Sequence, residues 1–197
     1  MIKGLEIKNL PEIVFLENET WPEGTRANET AFRNRLNIFP QGFIGFYVNN
    51  QLAGFTTSMI IDLNNMNSIE SWEKITDFGM ITNHNENGNC LYIVSLGVSP
   101  RFQGNGVGQK LITEQINFAK KCKLEYVVLG SRIPGFHLFE GSIEDYLSNK
   151  TPNGFSIDPL VRFYQKSGLE IGSIKPNYME DDKESRNYGL IMYKKLN

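Results

Sequence analysis

A buried strand, a glycine-rich loop and a helix meet in the stretch Val98-Ser99-Pro100-Arg101-Phe102-Gln103-Gly104-Asn105-Gly106-Val107-Gly108-Gln109-Lys110-Leu111. The run before it, Cys90 to Val98, is nearly all apolar, which is typical of a strand covered on both faces. The run after it repeats apolar residues at helical spacing as far as Cys122, and Leu124 to Leu129 reads as another apolar strand. Such a strand–helix–strand unit predicts two parallel strands that are neighbours in the sheet or nearly so.

The glycine-rich loop is a candidate site for a phosphate group. Glycine lets the backbone approach a ligand closely, and a helix N-terminus adds free N–H groups and a partial positive charge. Two other phosphate-binding patterns do not fit: GxxxxGK[ST] fails at Gln109 and Leu111, and GxGxxG fails because Gln109 stands where the last glycine is required. What remains is Gln103-x-x-Gly106-x-Gly108 directly after a strand. The structural alternative is a glycine-rich turn that binds nothing.

The length and charge of the chain limit the classes of protein to which it can belong. Its 197 residues and 22.5 kDa predict one domain over residues 1–197, and 40% hydrophobic residues supply a core. Lys and Arg number 20 against 22 Asp and Glu, a formal net charge of -2. This balance argues against a disordered chain and against a nucleic-acid binder that works through bulk positive charge.

Further patterns favour a cytoplasmic protein. Cys90 and Cys122 lie far apart and outside any CxxC pattern, so we expect two buried, reduced thiols and no disulfide. The N-terminus lacks a basic region followed by an apolar run, and no apolar stretch approaches the ~20 residues that span a bilayer. No metal site is expected.

The rest of the chain alternates helical and strand-like segments, which predicts a mixed α/β or α+β domain with one central sheet. Thr30 is the expected N-cap of the second helix, Asn49-Asn50-Gln51 the turn of a hairpin, and Asp158 the N-cap of a late helix that ends before Gly168. The predicted elements are strands at 2–7, 43–48, 52–61, 169–174 and 188–193, and helices beginning near Pro11, Thr30, Ser71, Ser142 and Pro159.

The loop pattern, together with its place between a strand and a helix, resembles motif A of the GCN5-related N-acetyltransferase superfamily, written Q/R-x-x-G-x-G/A. The segment 158–169 resembles that family's motif B, and 42–61 its early hairpin. A narrower likeness is to the acetyltransferase-like domains found beside carbon–nitrogen hydrolases. It is carried by Phe39-Pro40-Gln41-Gly42, Trp72-Glu73-Lys74-Ile75-Thr76, Asn83-His84-Asn85, Ser131-Arg132-Ile133-Pro134-Gly135, Pro176-Asn177-Tyr178 and Asn187-Tyr188-Gly189.

The resemblance implies a single domain with a mixed, mostly antiparallel sheet, a splayed pair of parallel strands and flanking helices. It also implies that acetyl-CoA is the co-substrate, with its pyrophosphate on the loop and its pantetheine arm beside the strand before it. The implied cofactor-binding residues are Leu96, Gly97, Val98, Arg101, Phe102, Gln103, Gly104, Asn105, Gly106, Val107, Gly108 and Gln109.

The same resemblance gives Tyr164 as the general acid that protonates the leaving thiolate. The alternative role of Tyr164 is packing in the hydrophobic core. The carboxylate that many relatives carry on the strand before the loop is absent here. The general base therefore stays open between water, an amine that arrives neutral, and the loop residues His84, His137, Glu140, Asp181 and Asp182.

Four residues are candidates for contact with the acceptor: Trp72, His84, Arg132 and His137. Trp72 either lines an acceptor pocket or anchors the long loop. Arg132 follows a strand end, where ligands gather in open sheets, and pairs either with substrate or with the acidic segment 176–184.

Three functions are compatible with these patterns. The first is an enzyme that moves an acetyl group from acetyl-CoA to an amine. The second is an acyl-CoA-binding module that senses without turnover, and the third is an interaction domain with an empty loop. The near-neutral charge does not identify the acceptor. We expect no nucleic-acid or membrane partner, and a homodimer is compatible with the sequence.

Overall fold

Seven strands form one sheet in the computed structural model, which describes residues 1–196. The strands, in chain order, are β1 (Ile2–Gly4), β2 (Phe43–Val48), β3 (Gln51–Ile61), β4 (Cys90–Val98), β5 (Tyr126–Ser131), β6 (Glu170–Lys175) and β7 (Gly189–Lys195). They are arranged in the order β1-β2-β3-β4-β5-β7-β6, with β4 and β5 parallel and all other neighbours antiparallel. The predicted mixed, mostly antiparallel sheet is confirmed.

Six helices flank the sheet: α1 (Leu10–Thr20), α2 (Glu29–Ile38), α3 (Trp72–Thr76), α4 (Val107–Lys121), α5 (Ile143–Ser148) and α6 (Pro159–Lys166). On β4, Leu96 and Val98 pack against α4 residues such as Val107, whereas a Cβ added at Gly97 would meet Leu16 and Thr20 of α1. Because alternate residues of a strand face opposite sides, α1 and α4 cover opposite faces of the sheet.

Local predictions differ from the structure mainly at element ends. The N-cap of α2 is Asn28 rather than Thr30, because the Asn28 side chain accepts a hydrogen bond from the Ala31 N–H at 2.9 Å. β1 ends at Gly4, before the predicted Ile7. The predicted β2–β3 hairpin is present, but its turn has two residues instead of three, because Gln51 belongs to β3 and pairs with Val48. Asn49 and Asn50 adopt positive φ angles of 47° and 62°, which match the twist of a tight hairpin.

The two cysteines are free, as expected, but only Cys90 is buried and Cys122 is exposed. Burial raises the pKa of the Cys90 thiol. In residues 1–196, no helix has the length and apolar character needed to cross a bilayer. No cluster of three or more His, Cys, Asp or Glu side chains suited to a metal ion is found in the same range.

The parallel pair β4–β5 opens after three residue pairs. Pairing runs from Cys90↔Tyr126 to Tyr92↔Val128 and then stops. Just beyond, the register between β3 and β4 shifts: Ser58 pairs with Ile93 and Thr57 with Ser95, so Val94 is an extra residue on β4. A bulge of this kind bends its strand, which accounts for the divergence of β4 from β5.

Candidate active site

An open cleft of about 630 Å³ lies where β4 and β5 diverge. The end of α1, β4, the glycine loop, the end of β5 and the first turns of α6 form its walls. The residues that line it are Thr20, Trp21, Leu96, Val98, Phe102, Gln103, Gly104, Gly106, Val107, Gly108, Gln109, Gly130, Arg132, Pro134, Pro159, Leu160, Phe163 and Tyr164.

The glycine loop presents open backbone to this cleft. Gly104 and Gly106 both have φ +76°, a conformation that L side chains rarely adopt, and a Cβ at either would meet no atom within 4 Å. Gly106 is the N-cap of α4, and its carbonyl accepts the first intrahelical bond from Lys110 at 3.0 Å. The N–H groups of the first turn therefore precede the helical hydrogen-bond pattern and are available to an anion.

Gly108 has a different role from the two glycines before it. Its φ is not positive, but a Cβ there would come within 2.9 Å of the Phe163 ring. The absence of a side chain lets α6 approach the first turn of α4. This contact brings the helix that carries Tyr164 next to the loop.

The side chain of Asp158 fixes the start of α6. Its Oδ1 accepts hydrogen bonds from the N–H groups of Leu160 (2.9 Å) and Val161 (3.1 Å), and its Oδ2 accepts from the Gly135 N–H and the Tyr146 hydroxyl. The predicted N-cap at Asp158 is confirmed. Asp158 is fully buried, so it acts on the cleft only by positioning α6.

Tyr164 lines the cleft and is a nearly buried residue, 8% exposed. Burial raises the pKa of the hydroxyl, and the nearby positive charge of Arg132 only partly opposes this effect. The phenol is therefore protonated at neutral pH and can act as a hydrogen-bond or proton donor.

Arg132 lies at the mouth of the cleft and is held by two carboxylates. Its guanidinium donates to Asp182 through Nε (2.8 Å) and Nη2 (2.6 Å), and to Glu184 at 2.8 Å. It also stacks on the Trp21 ring, 5.6 Å from the centroid. Burial would lower the pKa of Arg132, but the two carboxylates outweigh it and raise the pKa. Pairing with the acidic segment is thus observed.

A second, smaller cavity of about 390 Å³ shares Arg132 with the cleft. Asp181 and Asp182, two of the residues considered for the general base, line this cavity and not the cleft itself. Among the lining residues of the cleft that the structure describes, the only ionisable side chains are Arg132 and Tyr164.

Three of the predicted acceptor residues lie outside the lining of the cleft. The Trp72 indole N–H donates to the Val94 carbonyl at 3.0 Å. The His84 ring stacks on Phe39, its Nδ1 accepts from the Ile60 N–H, and burial lowers its pKa. His137 is exposed and bonds to the Pro134 carbonyl through Nδ1.

Nine of the twelve predicted cofactor-binding residues line the cleft, and three do not. Gly97 faces α1, and Arg101 and Asn105 are exposed beside the loop without lining the cleft. Sequence reasoning missed the walls contributed by Trp21 and Gly130, which lie in segments without a motif. Pro159, Leu160 and Phe163 belong to the segment that resembles motif B, so the helical pattern around Tyr164 could have included them.

Comparison with known proteins assigns the chain to a family. The model of the Acetyltransferase (GNAT) family matches residues 10–138, about two thirds of the sequence. The chain belongs to this family, and the predicted resemblance to it is confirmed.

Two curated relatives come from Bacillus subtilis (strain 168). The probable hydrolase YhcX is 27% identical over 98% of this chain, which spans only 38% of that protein. The uncharacterized N-acetyltransferase YkwB is 29% identical over 96% of this chain and 88% of its own length.

Solved structures share the fold at low identity. The loading GNATL domain of CurA from Lyngbya majuscula has a TM-score of 0.89 at 21% identity, over 99% of this chain and 96% of that one. The GNAT-like decarboxylase GphF has a TM-score of 0.82 at 21% identity over the full length of both chains. The ribosomal-protein-S18-alanine N-acetyltransferase from Escherichia coli has a TM-score of 0.63 at 14% identity, over 100% of this chain and 94% of that one.

Proposed function

We propose that residues 1–197 act as one domain that transfers an acetyl group from acetyl-CoA to an amine. Membership of the GNAT family supports acyl transfer from coenzyme A in general. The single observation that carries the specific proposal is the continuity of the cleft. It runs from the open N–H groups at the start of α4, along the part of β4 that has no partner on the β5 side, to Tyr164.

The pyrophosphate of acetyl-CoA binds at the glycine loop in this proposal. Gly104 and Gly106 leave room for the phosphates, and the first turn of α4 offers N–H donors and the positive end of the helix dipole. Arg101, exposed beside the loop, adds a charge-assisted contact. The pantetheine arm then runs along Leu96 and Val98, whose strand lacks a partner on the β5 side at this level.

The reaction is a direct attack on the thioester. The amine nitrogen forms a bond to the acyl carbon, the C–S bond breaks, and the nitrogen gives up one proton to water. The thiolate takes a proton from Tyr164, whose phenolate then regains one from water. A backbone N–H near Leu96–Val98 stabilises the developing oxyanion. No lining residue of the cleft within 1–196 is a carboxylate or histidine, so the amine enters neutral or gives its proton to water.

The same lack of a base favours a second candidate, an acyl-CoA-binding module without turnover. The fold alone does not decide between the two, because the structural relatives include the loading GNATL domain of CurA and the GNAT-like decarboxylase GphF in complex with isobutyryl-CoA. The two candidates share the binding step and differ only in whether free thiol is released.

Binding and thiol release test the proposal together. Calorimetry should detect binding of both CoA and acetyl-CoA. A thiol-reactive dye should then report acceptor-dependent release of CoA with a panel of polyamines, amino acids, aminoglycosides and peptides with free N-termini. Failure of both CoA and acetyl-CoA to bind refutes the proposal, whereas tight binding without thiol release for any acceptor supports the module.

Substitution of Tyr164 tests the general acid. Tyr164→Phe should lower kcat about a hundredfold and leave the affinity for acetyl-CoA unchanged, because only the proton donor is removed. Tyr193→Phe is a matched control, since the Tyr193 hydroxyl is exposed and bonds to Glu170 away from the cleft. Unchanged turnover in Tyr164→Phe removes Tyr164 from the mechanism.

A further inference from the structure

A hydrogen-bonded group of side chains from outside the glycine loop and α6 lies behind Gly130, a residue of the cleft wall. We call Trp72, Tyr92 and Tyr178 the closing cluster. Tyr92 is on β4, at the last pair before the parallel strands diverge. Tyr178 comes from the link between β6 and β7, and Trp72 is the first residue of α3. Tyr92 and Tyr178 are almost fully buried.

Direct hydrogen bonds join the three residues to one another and to the bulge on β4. The hydroxyl groups of Tyr92 and Tyr178 are hydrogen-bonded to each other. The Trp72 backbone N–H donates to the Tyr178 carbonyl at 2.7 Å, and the Trp72 indole N–H donates to the Val94 carbonyl at 3.0 Å. The carbonyl of the bulged residue is thus already engaged by the protein.

Two glycines make space for the Tyr178 ring. A Cβ at Gly130 would overlap the Tyr178 hydroxyl, and a Cβ at Gly189 would overlap its ring. Gly130 itself lines the cleft, so the Tyr178 hydroxyl lies directly behind the cleft wall. Because the Tyr178 ring fits tightly against both glycines, it has little space to shift away from the cleft.

The lining of the cleft reaches two residues deeper on β5 than on β4. On β4 the lining includes Leu96 and Val98 but not Val94, and on β5 it includes Gly130 but not Val128. Val128 pairs with Tyr92, so Gly130 is two residues beyond the last pair, at the level of Val94. At the level of Val94 and Gly130, the closing cluster supplies the Trp72 indole, which bonds to the Val94 carbonyl, and the Tyr178 hydroxyl, which lies against Gly130.

We propose that the closing cluster, with Tyr178 as its central residue, limits the acyl group that the cleft accepts to a short chain. This inference rests on the proposed function. If the pyrophosphate lies on the loop after Val98, the pantetheine arm passes Val98 and then Leu96, and the acyl group points toward Val94. An acyl chain longer than a few carbons meets the closing cluster, which cannot yield without breaking buried hydrogen bonds.

Calorimetry with an acyl-CoA series tests the limit in the wild-type chain. CoA, acetyl-CoA, isobutyryl-CoA and hexanoyl-CoA are compared, and each affinity is divided by the affinity for CoA so that the contribution of the shared nucleotide cancels. We expect hexanoyl-CoA to bind at least about tenfold more weakly than acetyl-CoA. If CoA and acetyl-CoA bind and hexanoyl-CoA binds as tightly as acetyl-CoA, this inference is overturned while the proposed function stands. If neither CoA nor acetyl-CoA binds, the proposed function itself fails.

Two variants assign the limit to Tyr178. Tyr178→Leu opens space behind Gly130. It should reduce the ratio of the affinity for acetyl-CoA to the affinity for hexanoyl-CoA about fivefold. Tyr178→Phe keeps the ring and removes only the hydroxyl against Gly130, so it should reduce the same affinity ratio about twofold. This variant provides the test if the leucine variant does not fold. Tyr188→Leu is the matched control and should leave the affinity ratio unchanged. Tyr188 is a partly buried tyrosine of the same link and packs on Phe136. If the affinity ratio is unchanged in the folded Tyr178 variants, Tyr178 does not set the limit on acyl length.

Discussion

The two ends of the cleft are built on opposite principles. At the glycine loop, Gly104 and Gly106 leave open space, and the groups presented to a ligand are backbone N–H donors. At the closing cluster, space is filled and polar groups are paired within the protein, as the Tyr92–Tyr178 contact shows. In the proposed function, one end therefore binds by leaving room and the other selects by excluding volume, although both depend on glycine.

The largest expected effect comes from the glycine at the closed end. Gly130→Ala places a methyl group onto the Tyr178 hydroxyl, so we expect the free energy of unfolding to fall by about 3 kcal/mol, the upper range for overpacking a core. Urea denaturation measures this change. Gly4→Ala is the control, because Gly4 is on an edge strand and its Cβ would meet nothing within 4 Å. A loss below about 0.5 kcal/mol would show that the closing cluster moves aside easily, which removes the contrast between the two ends.

No carboxylate lines the cleft among the described residues, whereas two ionisable side chains, Glu17 and Arg35, are buried elsewhere in the fold. Glu17 is 1% exposed, its Oε1 accepts from the Ala27 N–H, and its Oε2 has no partner among the described residues. Burial raises the pKa of Glu17 from 4.5 to about 7, against the opposing charges of Arg35 and Arg26. Arg35, buried beside it with a pKa lowered to about 10, stays charged at neutral pH.

This arrangement predicts that stability falls as pH rises. The folded chain holds the Glu17 proton up to a pKa of about 7, whereas the unfolded chain loses it near 4.5, so the contribution is complete below pH 4.5 and lost by pH 7. Between pH 5 and pH 8 we expect a loss of about 2 kcal/mol, measured by urea denaturation, and Glu17→Gln should remove this slope. Glu125→Gln, at an exposed glutamate, is the control. The same slope in Glu17→Gln and wild type would contradict this account.

The two ends also differ in how far the sequence predicts them. β4, the glycine loop and α4 are contiguous, so apolar runs and glycine spacing predicted them almost to the residue, whereas Tyr164 was predicted from the resemblance of its helix to motif B. The closing cluster joins Trp72, Tyr92 and Tyr178 from three distant segments. Nothing local indicates that these residues meet, and the bulge at Val94 depends on pairing with β3. Contacts between distant irregular segments are set by packing, which the pattern of one strand or helix does not report.

The smallest effect tests the open end with two glycines in the same backbone state. Gly106 has φ +76° and Gly154 has φ +80°, and a Cβ at either would meet nothing within 4 Å. Alanine at either position should therefore cost a similar amount of stability, about 1 kcal/mol, from the left-handed conformation alone.

Only Gly106→Ala should affect CoA, with about a tenfold loss of affinity, equivalent to about 1.4 kcal/mol, because its methyl group enters the space for the phosphates. Calorimetry with CoA and urea denaturation of both variants separate the two contributions. An equal affinity in Gly106→Ala and Gly154→Ala would mean that the phosphates lie elsewhere. The open space at the loop would then be a consequence of the turn alone, and the contrast with the closed end would no longer describe a binding site.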